Sequence, residues 1–269
     1  MKPKRACVIH KIGMSKTVLV TGSSGRIGQA VVAELIHRGH AVRGFDRAPT
    51  TGLDDCITAE LSDRSAIERA VRGVECVVHL AATPDDADFL TELMPNNLAG
   101  LYHVMEAARE AGVRRLVLAS SGQVNWWQQQ TGPWPIAPND PPSPRYWYAA
   151  TKMFMEAIGR GFAETHGMSV IVGRLGWCPR TREQVAEIAA SEWSQDVYFS
   201  PADTGRFFAC AVEAPDSLRF ATVYAASRPL HQPRFDMASA KELLGYEPKE
   251  QWPHGIEVIQ AFVAPPTSP

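Results

Sequence analysis

Apolar positions along the chain fall into two alternating rhythms. Short, nearly unbroken apolar runs occupy 17–20, 41–45, 75–80, 115–120 and 169–174. Runs of that length and continuity predict strands covered on both faces, as in a parallel sheet. Between them, apolar residues return every three or four positions, which is the helical period. Segment 29–38 puts Val31, Val32, Leu35 and Ile36 on one side; 97–111 does the same with Leu98, Leu101, Val104, Met105 and Ala108. Further helices are predicted at 65–72, capped by Asp63 and closed by Gly73, and at 148–166. A short strand is expected at 56–59. Beyond Gly176 the pattern loosens, with helices expected near 183–192, 204–213 and 237–244, the last closed by Gly245, and a strand near 222–226. Segment 125–147 is rich in Trp, Pro and Gln and lacks a helical period, so a long loop over a site is expected there. The repeated alternation predicts an α/β fold with a doubly wound parallel sheet of the Rossmann type.

Composition narrows the class. The chain has 269 residues, 45% of them hydrophobic, enough for one sizeable core with a small appendage. A formal net charge of −2 gives no electrostatic case for nucleic acid or an anionic membrane surface as a partner. No apolar run approaches the roughly 20 residues of a membrane span. The five cysteines, Cys7, Cys56, Cys76, Cys178 and Cys210, are odd in number and never form a Cys-x-x-Cys. That usage suits a reducing, cytoplasmic setting and predicts no metal site. Residues 1–13 are basic and too short in their apolar part for a secretory signal, so a disordered extension ahead of Met14 is expected. A disordered tail is expected over 264–269.

Candidate chemistry begins at Gly22, Gly25 and Gly28, three residues apart between the first strand and the first helix. In a strand-turn-helix setting the first glycine permits a sharp turn and the second lets backbone approach a pyrophosphate. The third lets the helix lie close to the strand. The helix start then offers unpaired N–H groups to phosphate. Asp46 ends the second strand, 18 positions past Gly28. A carboxylate there accepts hydrogen bonds from a ribose 2′-hydroxyl and repels a 2′-phosphate, which favours NAD over NADP. Arg47 next to it keeps NADP open as the lesser alternative. His79 lies within an apolar run and is read as a satisfied core imidazole.

Tyr148 and Lys152 are four apart on a predicted helix and project from one face. An ammonium near a phenol favours the phenolate and is expected to lower its pKa. Tyr148 then takes a proton from a substrate hydroxyl while hydride leaves the same carbon. Ser121, at a strand's carboxyl end, is placed to hydrogen-bond the reacting oxygen.

The motifs TGSSGRIG, HLAA, NNLAG, LASS and YAATK occur in this order. The chain thereby resembles the extended short-chain dehydrogenases/reductases, the group that holds the NAD-dependent sugar epimerases and dehydratases. The resemblance runs over roughly 16–250 and includes a late MASAKELLGYEP. It implies that Ser121, Tyr148 and Lys152 form the catalytic triad. It also implies that Gly22, Gly25, Arg26, Ile27 and Gly28 line the pyrophosphate and that Asp46 holds the adenosine ribose. Leu80, Ala81 and Ala82 would flank the cofactor, and Asn97 would have a structural or proton-relay role. Glu60 and Leu61 stand at the adenine-contact position, where Asp is usual. The implied division is an NAD-binding domain over 14–176 and a small substrate-binding region over 177–263, whose strand near 222–226 returns to the main domain. A homodimer through helices 88–111 and 148–166 is also implied.

Within that group GLYHVMEAARE, RLVLASS, GRLGWCP and TVYAAS are similar to uronate dehydrogenases, which oxidise C1 of a hexuronic acid with NAD. The resemblance implies a sugar or sugar-acid substrate. A carboxylate needs a cation, and Arg180 or Arg182 is placed to clamp it. Where those enzymes carry Asn-His after the catalytic Ser, this chain has Gly122 and Gln123, so two contacts to sugar hydroxyls differ. Thr83, Gly122, Gln123 and Trp126 are the remaining substrate-contact candidates, with Trp127 as an alternative stacking indole. Arg174 is expected to brace the loop. A nucleotide-sugar epimerase is the alternative function, although the stretch after Arg174 is lean for holding a nucleotide diphosphate. A non-catalytic NAD-binding regulator is the third reading; such relatives commonly lose the Tyr or Lys that this chain keeps.

Overall fold

The structure, a computed structural model, describes residues 15–257, so the expectations for 1–13 and 264–269 lie outside the described residues. Seven strands form one parallel sheet: β1 (Thr17–Thr21), β2 (Ala41–Asp46), β3 (Cys56–Thr58), β4 (Cys76–His79), β5 (Arg115–Ser121), β6 (Ser169–Leu175) and β7 (Phe220–Ala225). Their order is β3-β2-β1-β4-β5-β6-β7. The chain winds outward from β1 to β3, returns to β4, and winds outward the other way. The switch between β1 and β4 opens the crevice where such sheets bind ligands.

Successive residues on each strand serve opposite cores, as a pleated strand requires. On one face, Val18 and Val20 of β1, Val78 of β4 and Ile171 of β6 pack with α1 (Arg26–His37), α8 (Pro201–Glu213) and α9 (Ala238–Leu244). On the other, Leu19, Val77, Leu116, Leu118 and Val172 pack with α2 (Arg64–Ala70), α3 (Gly100–Glu110) and α5 (Trp147–His166). Both strand faces are buried, which explains the unbroken apolar runs. Asp63 caps α2 by accepting from the Ala66 N–H, and Gly245 ends α9 in the left-handed region.

Three elements differ from expectation. The helix predicted from Asn97 begins earlier, because a wide-turned π-helical segment, Phe89–Ala99, leads directly into α3. Pro95 inside it has no N–H to donate, and the Gly100 N–H reaches back five residues to the Pro95 carbonyl. The supposed long loop 125–147 starts with a 3₁₀ turn, Gly122–Asn125, and a short helix, α4 (Trp126–Thr131). Its sequence, WWQQQT, is too short to show a period. Two further helices, α6 (Arg182–Ala189) and α7 (Glu192–Asp196), cover the stretch after β6. Thr181 and Ser191 cap them, and only the first was expected.

Arg174 fixes this loop from the end of β6. It pairs with Glu156 of α5 at 2.8 Å and donates to Asn125 Oδ1 at 3.0 Å and the Pro138 carbonyl at 3.2 Å. Tyr224 also donates to Asn125 Oδ1, at 2.8 Å. Arg174 is buried and engaged on all sides, and it braces the loop as expected.

Candidate active site

The glycine turn sits at the switch point. Gly22 adopts φ +72°, and a Cβ there would stand 2.8 Å from the Ala81 nitrogen at the end of β4. Gly28 is required even more strictly, since its Cβ would fall 2.0 Å from the Gly22 carbonyl oxygen. Gly25 differs: among the described residues its Cβ would meet only that same oxygen, at 3.3 Å. It caps α1 in an extended conformation and offers no side-chain cap, so the cap itself is backbone alone. A bare backbone cradle at a helix start suits the pyrophosphate of a dinucleotide.

Asp46 closes β2 beside this turn. Its carboxylate accepts from the Ser24 N–H at 3.0 Å and the Ala48 N–H at 3.3 Å, which aims it across the turn. Arg47 is exposed next to it. Glu60 is exposed, whereas Leu61 is buried against Gly100 in the core. Leu80, Ala81 and Ala82 follow β4. The Thr21 hydroxyl accepts from the N–H groups of Leu80 and Ala81, so its own proton goes to His79 Nδ1 at 2.8 Å. His79 is fully buried and its pKa falls to about 3 through desolvation. It is a neutral core imidazole.

The carboxyl ends of β4, β5 and β6 open into a cavity of about 550 Å³. Ser121, Tyr148 and Lys152 all line it. Ser121 ends β5 and accepts the Gln123 N–H at 3.1 Å, on the same cavity wall as Tyr148. Lys152, one turn along α5 from Tyr148, is buried and donates to the Ala119 carbonyl at 3.0 Å. Its Nζ stands 5.4 Å from the centre of the Tyr148 ring. A carboxylate and a carboxamide fix the α5 start. Asp86 accepts the Tyr148 N–H at 3.3 Å, and Asn97 reaches Thr151 at 3.2 Å while holding both the N–H and the carbonyl of Thr83.

One electrostatic expectation is corrected. The Tyr148 phenol is pushed above its ordinary value of 10.0, chiefly by burial and next by the Asp85 carboxylate. The Ser121 hydroxyl and the Arg180 guanidinium oppose this without overcoming it. Lys152 stands over the ring and spends a donor on Ala119, and burial lowers its own pKa to about 8. Desolvation dominates at both groups, raising the phenol and lowering the amine.

The substrate-contact candidates divide. Gly122, Gln123, Trp126 and Arg180 line the cavity. Gly122 has no room for a side chain, because its Cβ would come within 2.8 Å of Phe235 Cζ. Phe235 in turn stacks on Tyr224 with centroids 4.5 Å apart. Gln123 donates to Asp85 at 3.2 Å, and Arg180 forms an ion pair with the same carboxylate. Thr83 stands beside the cavity: its hydroxyl accepts from Asn96 at 2.8 Å and approaches Glu92, both on the π-helical segment, while its neighbours Ala82, Pro84 and Asp85 line the wall. Arg182 and Trp127 are exposed and off the wall. Asp85, Trp177, Trp193 and Phe235 also line it and were not anticipated. Asp85 was readable in principle, since it lies in the loop after β4, at the ligand-facing ends of the strands. The aromatic three come from segments with no regular period.

Comparison with known proteins agrees with this geometry. Residues 18–177 match the family model described as the NAD dependent epimerase/dehydratase family. The chain is 30% identical to an L-arabinose 1-dehydrogenase (NAD(P)(+)) of Haloferax volcanii, over 87% of this chain and 96% of that one. It is 29% identical to a uronate dehydrogenase of Pseudomonas putida over 59% of this chain and 60% of the other. Among solved structures, a variant of the Agrobacterium tumefaciens uronate dehydrogenase complexed with NAD superposes with a TM-score of 0.72 at 25% identity. That match covers 95% of this chain and 92% of the other. The chain belongs to the NAD-dependent epimerase/dehydratase family, as an enzyme of the extended short-chain dehydrogenase/reductase type with a Rossmann-type fold. Among the described residues no helix is long and apolar enough to cross a membrane, and no group of His, Cys, Asp and Glu could hold a metal ion.

Proposed function

We propose that this chain is a dehydrogenase that oxidises a CH–OH group of a sugar or sugar acid with NAD, Tyr148 acting as the general base. The observation that carries this reading is convergence. Ser121, Tyr148 and Lys152 meet in one cavity that also borders Ile27, directly after the glycine cradle. NAD, held by Gly22, Gly25, Arg26, Ile27, Gly28 and Asp46, supplies the hydride acceptor and a positive ring that favours a nearby phenolate. Ser121 donates to the reacting oxygen, Tyr148 takes its proton, and Lys152 holds the nicotinamide ribose while its charge supports the phenolate. The carbinol loses two electrons with the departing hydride and becomes a carbonyl, or a lactone when the carbon is C1 of a ring sugar.

The region after Gly176 serves as the substrate wall, since Trp177, Arg180, Trp193 and Phe235 all come from it. Trp126 meets Tyr146 edge-on at 5.8 Å and Trp193 at 6.0 Å, which builds an aromatic rim of the kind sugar faces stack upon. The enzyme is assigned to the cytoplasm and to a homodimer through helices 88–111 and 148–166. Exposed Leu90, Met94 and Tyr102 on the first and Phe154 on the second, with Trp147 just ahead of it at the start of α5, support that pairing.

A panel of aldoses, uronates and UDP-sugars, each with NAD and with NADP, tests the reading. NADH formation on an aldose or uronate is the expected outcome. Interconversion of UDP-sugars without net NADH would instead establish an epimerase, and cofactor binding with no turnover would establish a regulator.

A further inference from the structure

Arg180 is the cation that lines the cavity apart from Lys152, and it is already matched by a carboxylate. Its guanidinium pairs with Asp85, whose other oxygen accepts from Gln123 at 3.2 Å. Asp85 reaches this position from the loop after β4 with φ +60°, the only positive φ of a non-glycine among the described residues. A backbone in that region is sparsely populated outside glycine, and the surroundings must hold it there. The pair therefore joins two segments 95 positions apart across the mouth of the site.

The charge lining the cavity points the same way. Asp85, Asp86 and Glu187 stand against Lys152 and Arg180. A substrate carboxylate would enter a site with no cationic excess. Pulling Arg180 away from Asp85 would leave that carboxylate without its guanidinium, near Tyr148. Two negative charges would then oppose formation of the phenolate that the reaction needs. The Gly122–Phe235 contact adds an apolar wall where a polar side chain has no room.

We propose that Asp85 neutralises Arg180 as a specificity device, and that the site takes a neutral aldose in preference to the matching uronate. This rests on the dehydrogenase reading above and narrows its substrate. Arg180 and Gln123, oriented by Asp85, present donors to sugar hydroxyls, and the carboxylate excludes a second anion.

The test compares sugars that share a ring and differ at C6: D-galactose with D-galacturonate, and D-glucose with D-glucuronate. Wild-type kcat/KM with NAD is expected to favour the neutral member of the accepted pair by at least about tenfold. Asp85→Asn keeps the shape and removes the charge, and should move the ratio toward the uronate by about tenfold or more. The ratio within one variant cancels any effect of Asp85 on Tyr148 common to both sugars. Binding to the NADH-loaded protein, followed by tryptophan fluorescence, supplies the same ratio without turnover. Preference of the wild type for the uronate, or a ratio unmoved by Asp85→Asn, overturns the proposal. Sugar binding in the expected order without NADH formation would instead sink the dehydrogenase reading and leave the selectivity intact.

Discussion

Lys152 Nζ lies 5.4 Å from the centre of the Tyr148 ring and donates to the Ala119 carbonyl at the end of β5. One bond therefore ties the amine to the sheet while it faces the phenol. Four residues of separation on α5 bring the two side chains together, and β5 sets their depth. Burial is the cost of that placement, and it acts on both groups in opposite directions.

Lys152 carries a pH signature in stability. Its pKa falls from 10.5 to about 8 on folding, through desolvation. Between those values the unfolded chain holds a proton that the folded one has released, so Lys152 makes stability rise with pH across that window. At about 1.4 kcal/mol per unit this amounts to roughly 3 kcal/mol. Cys76 and Cys178, pushed up to about 12 by burial, act in the opposite sense above about 9. The quantity to measure is therefore the difference between wild type and Lys152→Met in denaturant titrations from pH 7 to about 11. The difference should climb through the window; a flat difference would show that Lys152 keeps its ordinary pKa.

Gly122→Ala should destabilise the fold by about 1–3 kcal/mol, because the new methyl meets the Phe235 ring and the Leu175 carbonyl. Adding Phe235→Leu to that variant should recover part of the loss. Thermal unfolding of the two variants checks this, and additive losses would mean that the contact is not the cause.

Arg174→Leu should cost about 3–5 kcal/mol, since it strands the Glu156 carboxylate under the loop and removes the donors to Asn125 and Pro138. Arg174→Leu combined with Glu156→Leu should be markedly more stable than the single variant. Chemical denaturation of both decides it.

The sheet was legible because each strand is buried on both faces, and so the apolar runs 75–80, 115–120 and 169–174 stand out. The glycine turn was legible because Gly22 and Gly28 answer to backbone geometry that admits no other residue. Tyr148 and Lys152 were legible as a helical pair. Trp177 and Phe235 were not, because the contacts that give them meaning join segments distant in sequence; Asp85 could be placed near the strand ends, but its pairing with Arg180, 95 positions away, could not. The partners of Thr83 were hidden for the same reason: Asn96, Asn97 and Glu92 on the π-helical segment hold it. The shift of Tyr148 went the wrong way because spacing reveals a neighbouring ammonium and says nothing about how deeply both groups are buried.

The central claim is that Tyr148 removes the proton while NAD is held independently by the glycine turn. Tyr148→Phe keeps the ring and deletes the hydroxyl. Steady-state NADH formation on the best substrate of the wild type should fall by at least about 100-fold. NAD affinity, read by tryptophan quenching, should stay within about threefold of wild type. Undiminished turnover in Tyr148→Phe would contradict the account.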